Sequence, residues 1–146
     1  MKRKILSLVL CVVIQMQLGF AGAQQAGKIP RIGYLAGFGD AKNPSPQIEA
    51  FRQGLRELGY VEGKNILVEY RYIEGKQERV AILVAELVRL KVDMLVTPSA
   101  GAIREAKRVT KTIPIVMIAN FDPVAAGIVD SLAHPGANIT GLDRMT

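Results

Sequence analysis

The sequence is short of the residues that most often carry chemistry. Its 146 residues include no tryptophan, one histidine and one cysteine. A single cysteine forms no disulfide within the chain, and with one histidine beside it thiol catalysis and most transition-metal sites lack their ligands. No metal and no cofactor are expected. Gly33, Gly37 and Gly39 miss the G-x-G-x-x-G spacing of a dinucleotide fold, and no P-loop or nucleophile elbow occurs. The expectation is a protein that is not an enzyme.

A long apolar run is also lacking. The longest, Ile5–Ile14, falls well short of the ~20 residues that a membrane span needs. It follows Lys2, Arg3 and Lys4 and precedes the small residues Ala21-Gly22-Ala23. Positive start, short apolar run and small-residue cleavage site make a secretory signal peptide over residues 1–23, with a retained anchor as the alternative. Leu10 rather than a small residue precedes Cys11, which argues against a lipid-modified cysteine. The expected location is periplasmic or otherwise extracytoplasmic. Taking away Lys2, Arg3 and Lys4 lowers the formal charge from +6 to +3, so the basic balance is partly a targeting feature and weak support for nucleic acid.

What remains alternates regularly. Arg31–Ala36, Asp93–Thr97 and Ile113–Ala119 are apolar runs of strand length. Asn65–Tyr72 differs, placing Ile66, Val68, Tyr70 and Tyr72 against Glu69 and Arg71 with period two, the pattern of a half-covered edge strand. Asn138–Leu142 reads as a fifth strand. Between them lie four expected helices. The first starts at Ser45-Pro46 and ends at Gly59, with Ile48, Phe51, Leu55 and Leu58 on one face. The second spans 77–90 with a stripe of Val80, Val84, Leu87 and Val88, and the third spans 103–110. The fourth is opened by Asp122-Pro123, faces the core with Val124, Ile128 and Leu132, and stops at His134-Pro135-Gly136. The order predicts an α/β fold, a flavodoxin-like doubly wound parallel sheet with strand order 2-1-3-4-5.

In such sheets ligands bind beyond the carboxyl ends of the strands, near the switch between the first and third. Three turns lie there. Phe38 could stack on a flat ligand group or pack on the sheet edge. Asp40 could pair with a ligand amine or only shape its turn. Ser99, Ala100 and Gly101 open a helix whose free N–H groups suit an anion, and Ser99 equally suits a plain N-cap. Asn120 and Asp122 share the rim, Asp122 first as a cap. Arg104, Lys107, Arg108 and Lys111 line one helix face without interleaved aromatics, a solvated face rather than a nucleic-acid surface. The expected partner is a small-molecule solute.

The stretches RIGYLAG, FRQGLRELGYVEGKNILVEYRYIEGK, ELVRLKVDMLVT and IPIVMIANFDPVAAGIVDSLAHPGANITGL follow one another as in a known family. The chain resembles the ABC-transporter substrate-binding proteins that include tryptophan- and tyrosine-binding members. The resemblance implies a type I periplasmic-binding fold of two α/β lobes with a small solute, often an amino acid, held between them. It implies a membrane permease and its ATPase as partners. It carries ligand contacts onto Phe38, Asp40, Ser99, Ala100, Asn120 and Asp122. It also implies that residues 24–142 form the first lobe and 143–146 start the crossing to a second lobe absent from this sequence. Two alternatives stay open: a secreted module that senses a ligand and signals to a membrane partner, and a flavodoxin-like cofactor-binding enzyme domain. The secretory signal and the absent phosphate loop count against the second.

Overall fold

The computed structural model describes residues 28–143. The expected signal peptide lies outside them, as do residues 144–146. Five strands form one sheet: β1 Arg31–Ala36, β2 Leu67–Tyr72, β3 Met94–Thr97, β4 Ile115–Ala119 and β5 Ile139–Asp143. All pairings are parallel and the order is β2-β1-β3-β4-β5. This is the expected doubly wound arrangement. β1 is apolar on both sides and nearly wholly buried, while every residue of β2 is half-buried at the sheet edge. The charges of β2 are partly exposed and paired. Arg71 meets Glu86 at 3.0 Å and Glu69 at 3.7 Å. β5 runs through Asp143, the first residue of the stretch expected to begin a crossing.

Three helices link the strands. α1 Pro46–Glu57 starts with proline at its first turn, as expected. Ser45 caps it through its backbone carbonyl, which accepts from Ile48 and Glu49, and its side chain makes no cap bond. Ile48 and Leu55 are buried, but Leu58 is 76% exposed. The helix has already ended there: Gly59 takes φ +82°, and its N–H and that of Tyr60 return to Arg56 and Leu55. That left-handed glycine closure turns Leu58 out of the stripe. α2 Val80–Arg89 follows a short 3₁₀ turn, Gln77–Arg79. Leu83 joins Val80, Val84 and Leu87 in the core, and Val88 is only partly buried. α3 Ala100–Val109 begins three residues earlier than its apolar pattern suggested, because Ser99 caps it.

The fourth helix does not form. Between β4 and β5 the chain makes a single turn at 123–126. Its Ile128 N–H bonds to Pro123 and its Gly127 N–H to Val124, with Gly127 at φ +65°. These are the two bonds of the glycine closure that ends helices, arriving after one turn. Of the three residues expected to face the core, Ile128 is fully buried while Val124 and Leu132 are 41% and 55% exposed. Apolar residues four apart suggested a helix; Gly127 between them ends it.

The sheet separates two apolar clusters. Leu35, Leu95, Ile115, Met117 and Ile139 face α2 and α3. Ile32, Tyr34, Ala36 and Val96 face α1. Tyr34 lies against Phe51 and Tyr70, with ring centroids 4.9 and 5.9 Å apart. Burial raises the Tyr34 phenol above its ordinary pKa. Among the described residues no helix is long and apolar enough to cross a membrane.

Candidate functional site

A parallel sheet delivers the loops after β1, β2, β3 and β4 to one edge. The loop after β1 is closed by Gly39, whose φ is +82° and whose missing Cβ would lie 2.8 Å from the Ser45 nitrogen. Asp40 Oδ1 accepts N–H bonds from Lys42 at 2.7 Å and Asn43 at 2.8 Å. Those bonds, Asn43 first, hold its carboxyl below the ordinary carboxylate pKa. Phe38 is 75% exposed. It does not pack on the sheet edge, the alternative that the sequence left open.

The turn after β3 is ordered by Ser99, whose Oγ accepts from the Ala102 N–H at 3.3 Å. Ala100 and Gly101 follow in the first turn of α3. Gly101 makes room for a neighbour that sequence reading did not single out: a Cβ there would lie 2.9 Å from Gln77 Oε1. The loop after β2 thereby reaches the same rim, and its Gly75 N–H bonds to the Gly37 carbonyl at 3.1 Å. After β4, Asn120 is exposed. Asp122 Oδ1 caps the single turn, accepting from Val124 at 2.9 Å and Ala125 at 3.0 Å.

All seven candidate residues therefore lie in loops or a helix start at the carboxyl edge. Asp40, Ser99 and Asp122 each accept N–H bonds from their own loop or helix start. Two concavities lie elsewhere. One of ≈ 450 Å³ is lined by Arg71, Glu86, Arg89 and Leu90, and one of ≈ 180 Å³ by Arg52, Leu55, Arg56, Tyr60, Val61 and Glu62. Both contain charged groups that are paired within the fold. Chemistry favours the edge over either: it brings four loops together at the topological switch point.

The basic face of α3 has structural work. Arg104 donates to the Ala126 carbonyl at 3.1 Å and Lys107 to the Ile128 carbonyl at 2.8 Å. Arg108 pairs with Glu105 at 2.7 Å, and Lys111 donates to the Lys107 carbonyl. His134 stays in its turn, its N–H bonded to Ser131 Oγ. Among the described residues no three His, Cys, Asp or Glu side chains group as metal ligands would.

A second group at the rim, besides Gln77, escaped sequence reading. Thr97 is 2% exposed; its Oγ1 donates to the Leu35 carbonyl at 2.8 Å and accepts from the Ser99 N–H at 3.1 Å. A threonine at a strand end carries no distinctive spacing. The usable signal is Pro98 beside it, which has no N–H to offer a neighbouring strand.

The chain is similar to several known proteins. A tyrosine-binding protein of Clostridioides difficile (strain R20291) is 33% identical over 93 residues, 64% of this chain and 27% of that protein. An ABC domain from Streptococcus pneumonia, solved in complex with L-Trp, superposes with a TM-score of 0.68 at 28% identity, over 80% of this chain and 39% of that one. A conserved domain protein from Vibrio cholerae gives 0.69 at 31% identity, over 82% and 40%. The chain thus spans about a quarter of the curated relative and two fifths of the solved ones. The family model of the ABC transporter substrate binding protein matches residues 44–146, and the chain belongs to that family.

Proposed function

We propose that the carboxyl edge of the sheet is one wall of a solute site, in the extracytoplasmic solute-binding component of an ABC importer. The solute is an amino acid or a similar small molecule, and the contacts come from Phe38, Asp40, Ser99, Ala100, Gly101, Asn120 and Asp122. Residues 24–142 act as the first lobe, with the opposite wall supplied by a second. A membrane permease and its ATPase receive the closed complex, and the protein performs no chemistry on the solute. The observation that carries this reading is the convergence of exposed Phe38 and three backbone-anchored oxygens on the edge where parallel sheets bind ligands. Family membership, the relative named a tyrosine-binding protein and the structure solved with L-Trp support the solute class.

The experiment is a solution-NMR titration of the chain with L-tryptophan, L-tyrosine and branched amino acids. Good pockets bury roughly 70–90% of a ligand. One wall buries much less, so binding is expected only at millimolar levels, on the order of −4 kcal/mol or weaker. Amide shifts should concentrate at residues 37–43, 99–101 and 120–122. Micromolar binding would overturn the one-wall reading, and an absence of rim shifts with every amino acid would remove the edge as a solute site.

A further inference from the structure

We infer that Thr97 is a positioning residue of this rim, its hydroxyl standing in for the amide that Pro98 lacks and tying the end of β1 to the Ser99 turn. The inference rests on the proposed solute wall for its meaning and on the strand ladder for its evidence.

β1 and β3 pair in parallel from Ile32↔Met94 through Tyr34↔Val96, and the pairing stops there. In a parallel ladder alternate residues of one strand bond to the same neighbour at even spacing. Even-numbered positions of β1 serve β2, since Pro30 and Ala36 carbonyls accept from Leu67 and Ile73. Odd-numbered positions serve β3. Continuing the register, the Leu35 carbonyl meets residue 98, and proline has no N–H to give.

Leu35 is 2% exposed, so water does not replace the missing donor. Thr97 Oγ1 does, at 2.8 Å. The same oxygen accepts from the Ser99 N–H at 3.1 Å. A hydroxyl has one proton to donate and lone pairs to accept with, and here both functions are engaged. The relay runs from Ser99 N–H through Thr97 Oγ1 to Leu35 C=O.

Both ends of the relay open onto the rim. Leu35 leads to Gly37, whose carbonyl anchors Gly75, and then to Phe38 and Asp40. Ser99 starts α3. A side chain, rather than the ladder, therefore fixes the spacing of two solute loops at the point where the strands part. Valine at 97 keeps the shape and loses both bonds.

Amide hydrogen exchange of the chain tests this, read at Ser99, Gly75 and Asn43 relative to core amides of Leu87 and Ile115. Thr97→Val should speed exchange at the rim amides by about tenfold relative to the core, the loss of roughly one net hydrogen bond. Thr97→Ser should hold them within about twofold of the wild type, because the hydroxyl is kept. Pro98→Ala restores the ladder donor, so adding Thr97→Val to it should cost less than about threefold. Equal rim exchange in wild type and Thr97→Val overturns the inference. So does failure of serine to restore it, or an undiminished tenfold effect beside Pro98→Ala. If Thr97→Val alone does not fold, recovery of folding in the double variant supports the relay and failure to recover overturns it. None of these readings needs a ligand. A failed amino-acid titration would remove the solute reading and leave the exchange result to decide Thr97.

Discussion

Among the described glycines, Gly141 is the one where an added Cβ would meet the closest neighbours. It pairs with Met117 in the β4–β5 ladder. A Cβ there would lie 2.1 Å from the Met117 carbonyl oxygen, 2.6 Å from its Cγ and 2.8 Å from its nitrogen. Two of those atoms are backbone, so no rotamer change relieves the clash. Overpacking costs about 1–3 kcal/mol. The φ of +156° at this residue adds strain, by about 1 kcal/mol or more. Gly141→Ala should therefore destabilise by about 3 kcal/mol, a large part of the ~5–15 kcal/mol typical of a domain. The melting temperature should fall by about 10 °C. Two other glycines separate the causes. Gly127 has open space but φ +65°, so alanine there should cost about 1–2 kcal/mol. Gly37 has neither a close neighbour nor a positive φ, so alanine there should stay within about 0.5 kcal/mol. Urea unfolding followed by circular dichroism gives all three. Equal effects at the three sites, or less than about 1 kcal/mol at Gly141, would refute the packing argument.

Two further outcomes follow from the charged groups. The Tyr70 phenol donates to Glu62 at 3.0 Å and accepts from Arg52 at 3.2 Å, and burial foremost pushes its pKa up to about 12. An unfolded tyrosine titrates near ~10. Between these values the unfolded state releases the proton first, so stability is full below pH ~10 and declines as pH rises toward 12. Tyr70→Phe should flatten that decline in pH-dependent unfolding; an unchanged slope would reject Tyr70 as its source. At Asp40, a single carboxylate oxygen accepts both loop N–H bonds. Asp40→Asn keeps an acceptor and loses the charge, while Asp40→Ala loses both. The asparagine variant should hold the Lys42 and Asn43 amide shifts and weaken the rim response to amino acids, and the alanine variant should disturb both. Solute shifts unchanged in Asp40→Asn would take the Asp40 charge out of the site.

The sheet was legible because a parallel sheet buried on two faces leaves a coarse mark. β1, β3 and β4 are short apolar runs, and β2 betrays its edge place by alternating Glu69 and Arg71 with Val68 and Tyr70. The turn at 123–126 was illegible for a specific reason. Val124, Ile128 and Leu132 satisfy helical spacing, but periodicity registers side chains and not the left-handed backbone of Gly127 between them. Leu58 escaped in the same way beside Gly59. Loop position was legible at the rim, and role was not. Asp40, Ser99 and Asp122 are types that bind solutes and also types that shape turns and caps, and their side chains do the second here.

Those anchored side chains bear on how such an edge would hold a solute. A flexible loop must be ordered when ligand arrives, at a cost of roughly 0.5–1.5 kcal/mol for each side chain immobilised. Here each loop is closed by its own acceptor: Asp40 for 40–43, Ser99 for the start of α3, Asp122 for 122–125. Gly75 and Thr97 then join neighbouring loops to one another. The ordering cost is met during folding, and the exposed Phe38 ring is carried by a backbone already fixed on both sides by Gly37 and Gly39 contacts. A rim built this way separates two kinds of residue by their mutational signature. Changes at Thr97 should loosen two loops together, whereas truncating Phe38 should alter solute contact and leave the loop amides in place.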